Sequence, residues 1–139
     1  MSQQNIAVLT LTVIASEAVS ACRAVDFDGA MIDTQGDKPM GIAMSAAPAG
    51  AALAVVTHGT AVAETGAAIS RGQALIADDQ GRVIPATGTL SIAAGATPVT
   101  SSAANGAILE GGDGPEFMIG DALQPAAGAG EFIEILLRR

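Results

Sequence analysis

Apolar residues in this chain recur at spacing two, in short runs that each end at Gly, Pro, Asp or Asn, and that pattern restricts the fold to β-structure. The first run, Ile6 to Ile14, sets Leu9, Leu11 and Val13 on one face and Val8, Thr10, Thr12 and Ile14 on the other, with the β-branched content that suits a pleated strand. Ala18 to Phe27 reads as a second strand. It stops at the Asp28-Gly29 turn, and Ala30 to Ile32 returns as a hairpin. Met40 to Met44 is short and apolar, Ala47-Pro48-Ala49-Gly50 is a turn, and Ala51 to His58 reads as a largely buried strand. Gly59 interrupts it as a bulge or close backbone approach before Thr60 to Glu64 continues. Gln73 to Ala77 and Arg82 to Ile84 flank the Asp78-Asp79-Gln80-Gly81 turn, and Gly130 to Leu137 is a final strand whose apolar pair Leu136 and Leu137 is expected in the core rather than at a subunit interface. About eight to ten short antiparallel strands with little or no helix predict an all-β fold, a compact sandwich or a partly closed barrel.

The 139 residues are one domain's worth of chain. Residues 1–17 form an N-terminal strand or arm, and residues 18–139 a single β domain with a Gly/Ala/Ser/Thr-rich connection at 87–117. The form Gly-x-Ala-large apolar occurs at Gly41 (GIAM) and again at Gly120 (GDAL), each followed by an Ala/Pro/Gly turn and a strand. That echo predicts two similar hairpins in corresponding positions. Thirty alanines, 17 glycines, no Trp, no Tyr and only Phe27, Phe117 and Phe132 leave a core poor in large side chains. Such a core gives a thin stability margin unless partners cover part of the surface.

Charge and motifs exclude most chemistry. A net charge of −8 with six basic residues offers no footprint for phosphate backbones or anionic lipid, so neither nucleic acid nor membrane is an expected partner. No apolar run is long enough to span a bilayer and no positive leader precedes one, so the chain reads as soluble and unexported. The single Cys22 has no partner within the chain and reads as a small buried hydrophobe. His58 is the only histidine and sits within a strand, where a structural role is expected. The carboxylate pairs Asp26/Asp28, Asp78/Asp79 and Asp113/Glu116 each lie beside a glycine, where turn formation explains them without a cation or acid–base chemistry. Phosphate-loop, dinucleotide and HExxH motifs are absent from the sequence. No catalytic residue, cofactor or metal is therefore expected.

The segments GIAMSAAPAGAALAVVTHG, AISRGQALIADDQGRVIPA and GDALQPAAGAGEFIEILL resemble the small capsid cement, or head decoration, proteins of tailed bacteriophages. Matching positions are Gly29, Gly41, Ile42, Ala43, Gly50, Gly59, Ile69, Gly72, Leu75, Asp78, Gly81, Arg82, Val83, Gly120, Ala122, Leu123, Gly130, Glu131, Ile133, Ile135 and Leu136. The resemblance implies a structural protein on the outer surface of an icosahedral head, made in the host bacterial cytoplasm. There it would bridge neighbouring copies of an HK97-fold major capsid protein and resist the pressure of packaged DNA. It also implies a homodimer or homotrimer at a local symmetry axis. Thr87 to Phe117 departs from the family pattern, being longer and richer in Ser, Thr and Ala.

Two segments are the candidate contacts with the shell or between subunits. One is Ser2 to Val8, where Ser2, Gln3, Gln4, Asn5, Ile6 and Val8 would extend an arm able to add to a neighbour's sheet edge. The other is the connection from Ala93 to Asn105, with Thr97, Val99, Ser101, Ser102 and Asn105. A carbohydrate-binding or adhesive β module displayed on a virion is the alternative, and the absence of Trp and Tyr weighs against it. An enzyme would need convergent titratable groups, which one histidine and turn-bound carboxylates do not supply.

Overall fold

The computed structural model describes residues 3–87 and 116–138. They contain eight strands: β1 (Ala7–Ile14), β2 (Ala24–Val25), β3 (Gly41–Ala43), β4 (Ala52–Glu64), β5 (Ala74–Ala77), β6 (Val83–Pro85), β7 (Gly120–Ala122) and β8 (Phe132–Leu137). No helix occurs among the described residues. Every ladder is antiparallel, in the order β2-β3-β4-β8-β7-β5-β6 with β1 added on β4. The two ends of this order meet. The Ala24 amide, in β2, donates to the Gly81 carbonyl in the β5–β6 turn at 2.6 Å, and Arg23 Nη1 donates to the Gln80 carbonyl at 2.7 Å. The sheet is thus a nearly closed barrel, which leaves few unpaired edges.

The long strand β4 joins the two halves. Its first part lies between β3 and β1, and Thr60–Glu64 pairs with β8. Register shifts at Leu9 lie opposite the Gly59 region, and a Cβ at Gly59 would sit 2.2 Å from the Ile6 carbonyl oxygen. The close approach expected of this glycine is present. Pro85 is tolerated in β6 because that strand ends the order, where one edge has no ladder to feed.

The hydrogen bonding of the first half recurs in the second. Thr10–Ile14 pair with Val56–Ala52 as Thr60–Glu64 pair with Leu136–Phe132. Ala24 faces Ile42 as Ala74 faces Asp121, and Val19 bridges Ala47 as Ile69 bridges Ala126. The Gly50 amide donates to the Ala15 carbonyl as the Gly130 amide does to Thr65. The GIAM and GDAL segments therefore occupy equivalent places, in β3 and β7, within two repeats of one unit.

Three local expectations differ from the structure. Ala18 to Phe27 is not one strand, because only Ala24–Val25 is extended and the chain turns at Cys22, whose φ is +62°. Nothing in that stretch is a Gly, Pro or Asn, so the sequence carries no sign of the break. Cys22 is half-buried rather than buried. Burial raises its thiol pKa and the nearby Glu64 carboxylate adds to the rise. Finally, Leu137 is in the core but its neighbour Leu136 is 44% exposed.

The repeat explains the turn at Cys22, since its counterpart is Gly72 at φ +81°. The left-handed conformation costs a non-glycine residue about 1–2 kcal/mol, and glycine's greater chain entropy returns about 0.5–1 of it. Cys22→Gly should accordingly raise stability by roughly 0.5–1 kcal/mol, read as a melting point a few degrees higher. Gly72→Ala should lower stability by about 1 kcal/mol although the added Cβ would meet nothing within 4 Å. Equal effects of the two changes would contradict the equivalence. A raised thiol pKa favours the protonated native state, so its stability contribution is present below the unfolded thiol pKa and is lost as pH rises through the folded one. Cys22→Gly should remove that alkaline loss, as urea titrations across this range would show.

Apolar packing forms two clusters. The larger joins β4–β8 residues Ala61, Ala63, Ile133 and Ile135 with Leu75, Val83 and Ile119, and includes Ala24, Ile42 and Val56 from the first repeat. The smaller, around Val19, Val25, Ala43, Leu53 and Val55, belongs to the first repeat alone.

Candidate functional site

Strand β1 has the alternation of a half-buried strand, yet seven of its eight residues are exposed and Val13 is half-buried. Val8 is 78% exposed, Ile14 59%, and Leu9 and Leu11 each 43%. Cross-strand pairing holds β1 in place: its backbone pairs with β4, and the Thr57 hydroxyl donates to the Leu9 carbonyl at 3.1 Å. Among the described residues β1 has one ladder only, so its outer edge and its side chains together form an apolar strip without a charged residue from Ile6 to Ala15. Met44, also exposed, extends the strip, its Sδ 3.9 Å from Thr10 Oγ1.

The residues ahead of β1 run on towards β8. The Gln3 side-chain amide donates to the Phe132 carbonyl, and the Gln4 amide donates to Glu134 Oε2 at 3.1 Å. The Ile6 amide donates to Thr60 Oγ1 at 3.0 Å while the Thr60 amide donates to the Ile6 carbonyl at 2.9 Å. Gln3, Gln4, Asn5, Ile6 and Val8 are all exposed and lie on this path. Exposed Phe132 and Leu136 belong to β8, beside it. Ser2, Thr97, Val99, Ser101, Ser102 and Asn105 lie outside the described residues.

Phe132 is not among the sequence candidates, although it alternates with the apolar Ile133 and Ile135, and Leu136, expected in the core, is exposed. Glu134, on the same parity, is 3% exposed. Its carboxylate is met by the Gln4 amide, a partner no local pattern reveals. A second exposed group, also unforeseen, stacks Lys38 between two rings, its Nζ 5.8 Å from the centroid of Phe27 and 5.7 Å from that of Phe117. Contacts of this kind are worth about 0.5–1 kcal/mol each at exposed positions.

Asp26 and Asp78, each from a carboxylate pair singled out in the sequence, are engaged in local structure. Asp26 Oδ1 accepts from the Asp28 and Ala30 amides, both at 2.9 Å. Asp78 Oδ1 accepts from the Gln80 and Arg82 amides, and its Oδ2 lies 2.7 Å from Arg82 Nη2. Both pairs make turns, as expected, and Asp113 falls outside the described residues. His58 Nδ1 lies 3.3 Å from the neighbouring Thr57 hydroxyl. Among the described residues no three His, Cys, Asp or Glu side chains converge as a metal site. The prominent surface is an apolar strip and an adjoining segment, which suit protein contact.

The family model for phage cement proteins matches residues 2–138, nearly the whole chain. The chain belongs to the phage cement protein family. A solved structure with the same fold is the N base of the head fiber gp8.5 of bacteriophage phi29. It shares 15% identity with this cement protein at a TM-score of 0.59, over 94% of this chain and 93% of that one. No curated protein matches the sequence. Membership gives this cement protein a capsid-associated structural role and a place in the virion, and the all-β expectation agrees with the fold.

Proposed function

We propose that the protein binds the outer surface of an icosahedral phage head, bridges neighbouring HK97-fold major capsid proteins and stabilises the shell against internal DNA pressure. The role is structural and non-catalytic, and the unit attaches as a homo-oligomer. The observation that carries this reading is the exposure of the segment from Gln3 to Val8, with Ile6 57% and Val8 78% exposed. A monomeric soluble protein rarely leaves such a strip uncovered. Ala7 and Val8 already belong to β1 and Gln3 to Ile6 are held by hydrogen bonds to Phe132, Glu134 and Thr60, so pairing with a sheet edge of the shell needs little reordering. Acidic charge keeps the free protein soluble, and many weak contacts on a repeating lattice add up through effective concentration.

The test is co-sedimentation with undecorated, expanded heads of the encoding phage. Saturable binding at a fixed ratio to the major capsid protein is expected. Protein left wholly in the supernatant would overturn the reading in favour of an adhesive module.

A further inference from the structure

The two repeats share a hydrogen-bond register but not an environment, and the difference has a direction. On the strand that opens each repeat, Ala61 and Ala63 are 1% and 0% exposed, whereas their first-repeat counterparts Leu11 and Val13 are 43% exposed and half-buried. On the back of each repeat the order reverses. Ala24, Ile42 and Val56 are buried, whereas their second-repeat counterparts Ala74, Asp121 and Leu136 are half-buried, half-buried and 44% exposed. Inside the chain these two observations are one contact: Ala24, Ile42 and Val56 of the first repeat share a cluster with Ala61 and Ala63 of the second. Its polar margin is the Glu64 amide donating to the Cys22 carbonyl at 2.9 Å and the Arg23–Glu64 ion pair at 2.8 Å.

We infer that a second copy of this chain covers the β1 strip at Leu11 and Val13 by repeating that contact head to tail. The back of one copy's second repeat (Ala74, Leu136) lies on the front of the next copy's first repeat (Leu11, Val13). Leu11, Val13, Ala74 and Leu136 are open, and their counterparts in the other repeat are buried by the internal contact or lie at its margin. The surfaces also suit each other chemically. Leu11 and Leu136 are larger than Ala61 and Val56, and Ile14 replaces the ion-paired Glu64. The Asp121 carboxylate brings its own partner, Arg138. The two surfaces differ, so the contact is heterologous and does not form a twofold dimer; a closed assembly built from it is a ring. This deepens the self-association part of the proposal above and does not rest on attachment to a shell.

The full chain in solution provides the test. By analytical ultracentrifugation the unaltered protein should form a closed oligomer, while Leu11→Asp and Leu136→Asp, both at exposed positions, should each be monomeric with cooperative melts retained. Leu11→Asp keeps an intact back and Leu136→Asp an intact front, so the mixture should form a one-to-one heterodimer and go no further. Cysteine pairs give a readout that does not depend on those variants. In a Cys22→Gly background, Ile14→Cys mixed with Gln73→Cys should give a disulfide-linked dimer on oxidation, because their counterparts Glu64 and Arg23 are in contact. Ile14→Cys linked to itself, or variants that stay oligomeric, would overturn the head-to-tail arrangement while leaving self-association standing. A monomeric unaltered protein at 100-micromolar order would overturn both, and head binding would still be decided separately by co-sedimentation.

Discussion

Gly120→Ala should lower the melting temperature by about 10 °C or more, corresponding to a loss of roughly 3 kcal/mol. A Cβ at Gly120 would lie 2.2 Å from the Leu136 carbonyl oxygen, and at the equivalent Gly41 it would lie 2.1 Å from that of Val56. Both obstacles are backbone atoms of the neighbouring strand, so no side-chain rotation relieves them and a strand must move. Gly41→Ala should therefore cost as much as Gly120→Ala. Gly128→Ala is the control, since its Cβ would meet nothing within 4 Å, and thermal melts should show a change within about 0.5 kcal/mol. A mild effect at Gly120 and Gly41 would mean that β3 and β7 are not seated this closely.

Removing residues 2–8 should leave a folded, cooperatively melting protein that no longer decorates heads. The deleted segment contributes one register pair to β4, Ala7 with Gly59, and hydrogen bonds from Gln3, Gln4 and Ile6 to Phe132, Glu134 and Thr60, whose loss lowers stability, but none of the core residues; Ile6 and Val8 are among the most exposed apolar side chains described. Burying the two against a shell is worth roughly 3 kcal/mol or more, so affinity for heads should fall about a hundredfold or more. Titration of heads with labelled protein measures this directly. Undiminished decoration by the shortened protein would remove the segment from the contact.

Much of the fold was legible because β-periodicity and turn residues carry it. The strands around Ala52–Glu64, Ala74–Ala77 and Phe132–Leu137 lie where the alternation places them, and Asp26 and Asp78 build the turns expected of them. The break at Cys22 was not legible, because the left-handed residue there is a cysteine and only its counterpart in the second repeat is a glycine. The repeat itself left one short echo, since it is conserved in backbone pairing while its side chains diverge: Ile42 corresponds to Asp121 and Val13 to Ala63.

The candidate site was legible in location and not in kind. Alternation at Leu9, Leu11 and Val13 is what a strand with one buried face would show, and a strand awaiting a partner looks the same in sequence. The difference lies in what the rest of the chain covers, a tertiary property. For the same reason Phe132 and Leu136 read as ordinary strand residues, and the buried Glu134 as a solvent-facing one. Its partner, the Gln4 amide, comes from the other end of the chain.

The most direct test of the central claim is heat stability of DNA-filled heads with and without the protein. Undecorated heads of the encoding phage, saturated with the purified protein, should release DNA at a higher temperature than bare heads, and the shortened protein lacking residues 2–8 should give no shift. Identical release curves for saturated and bare heads would contradict a stabilising role and leave a decoration that carries no load.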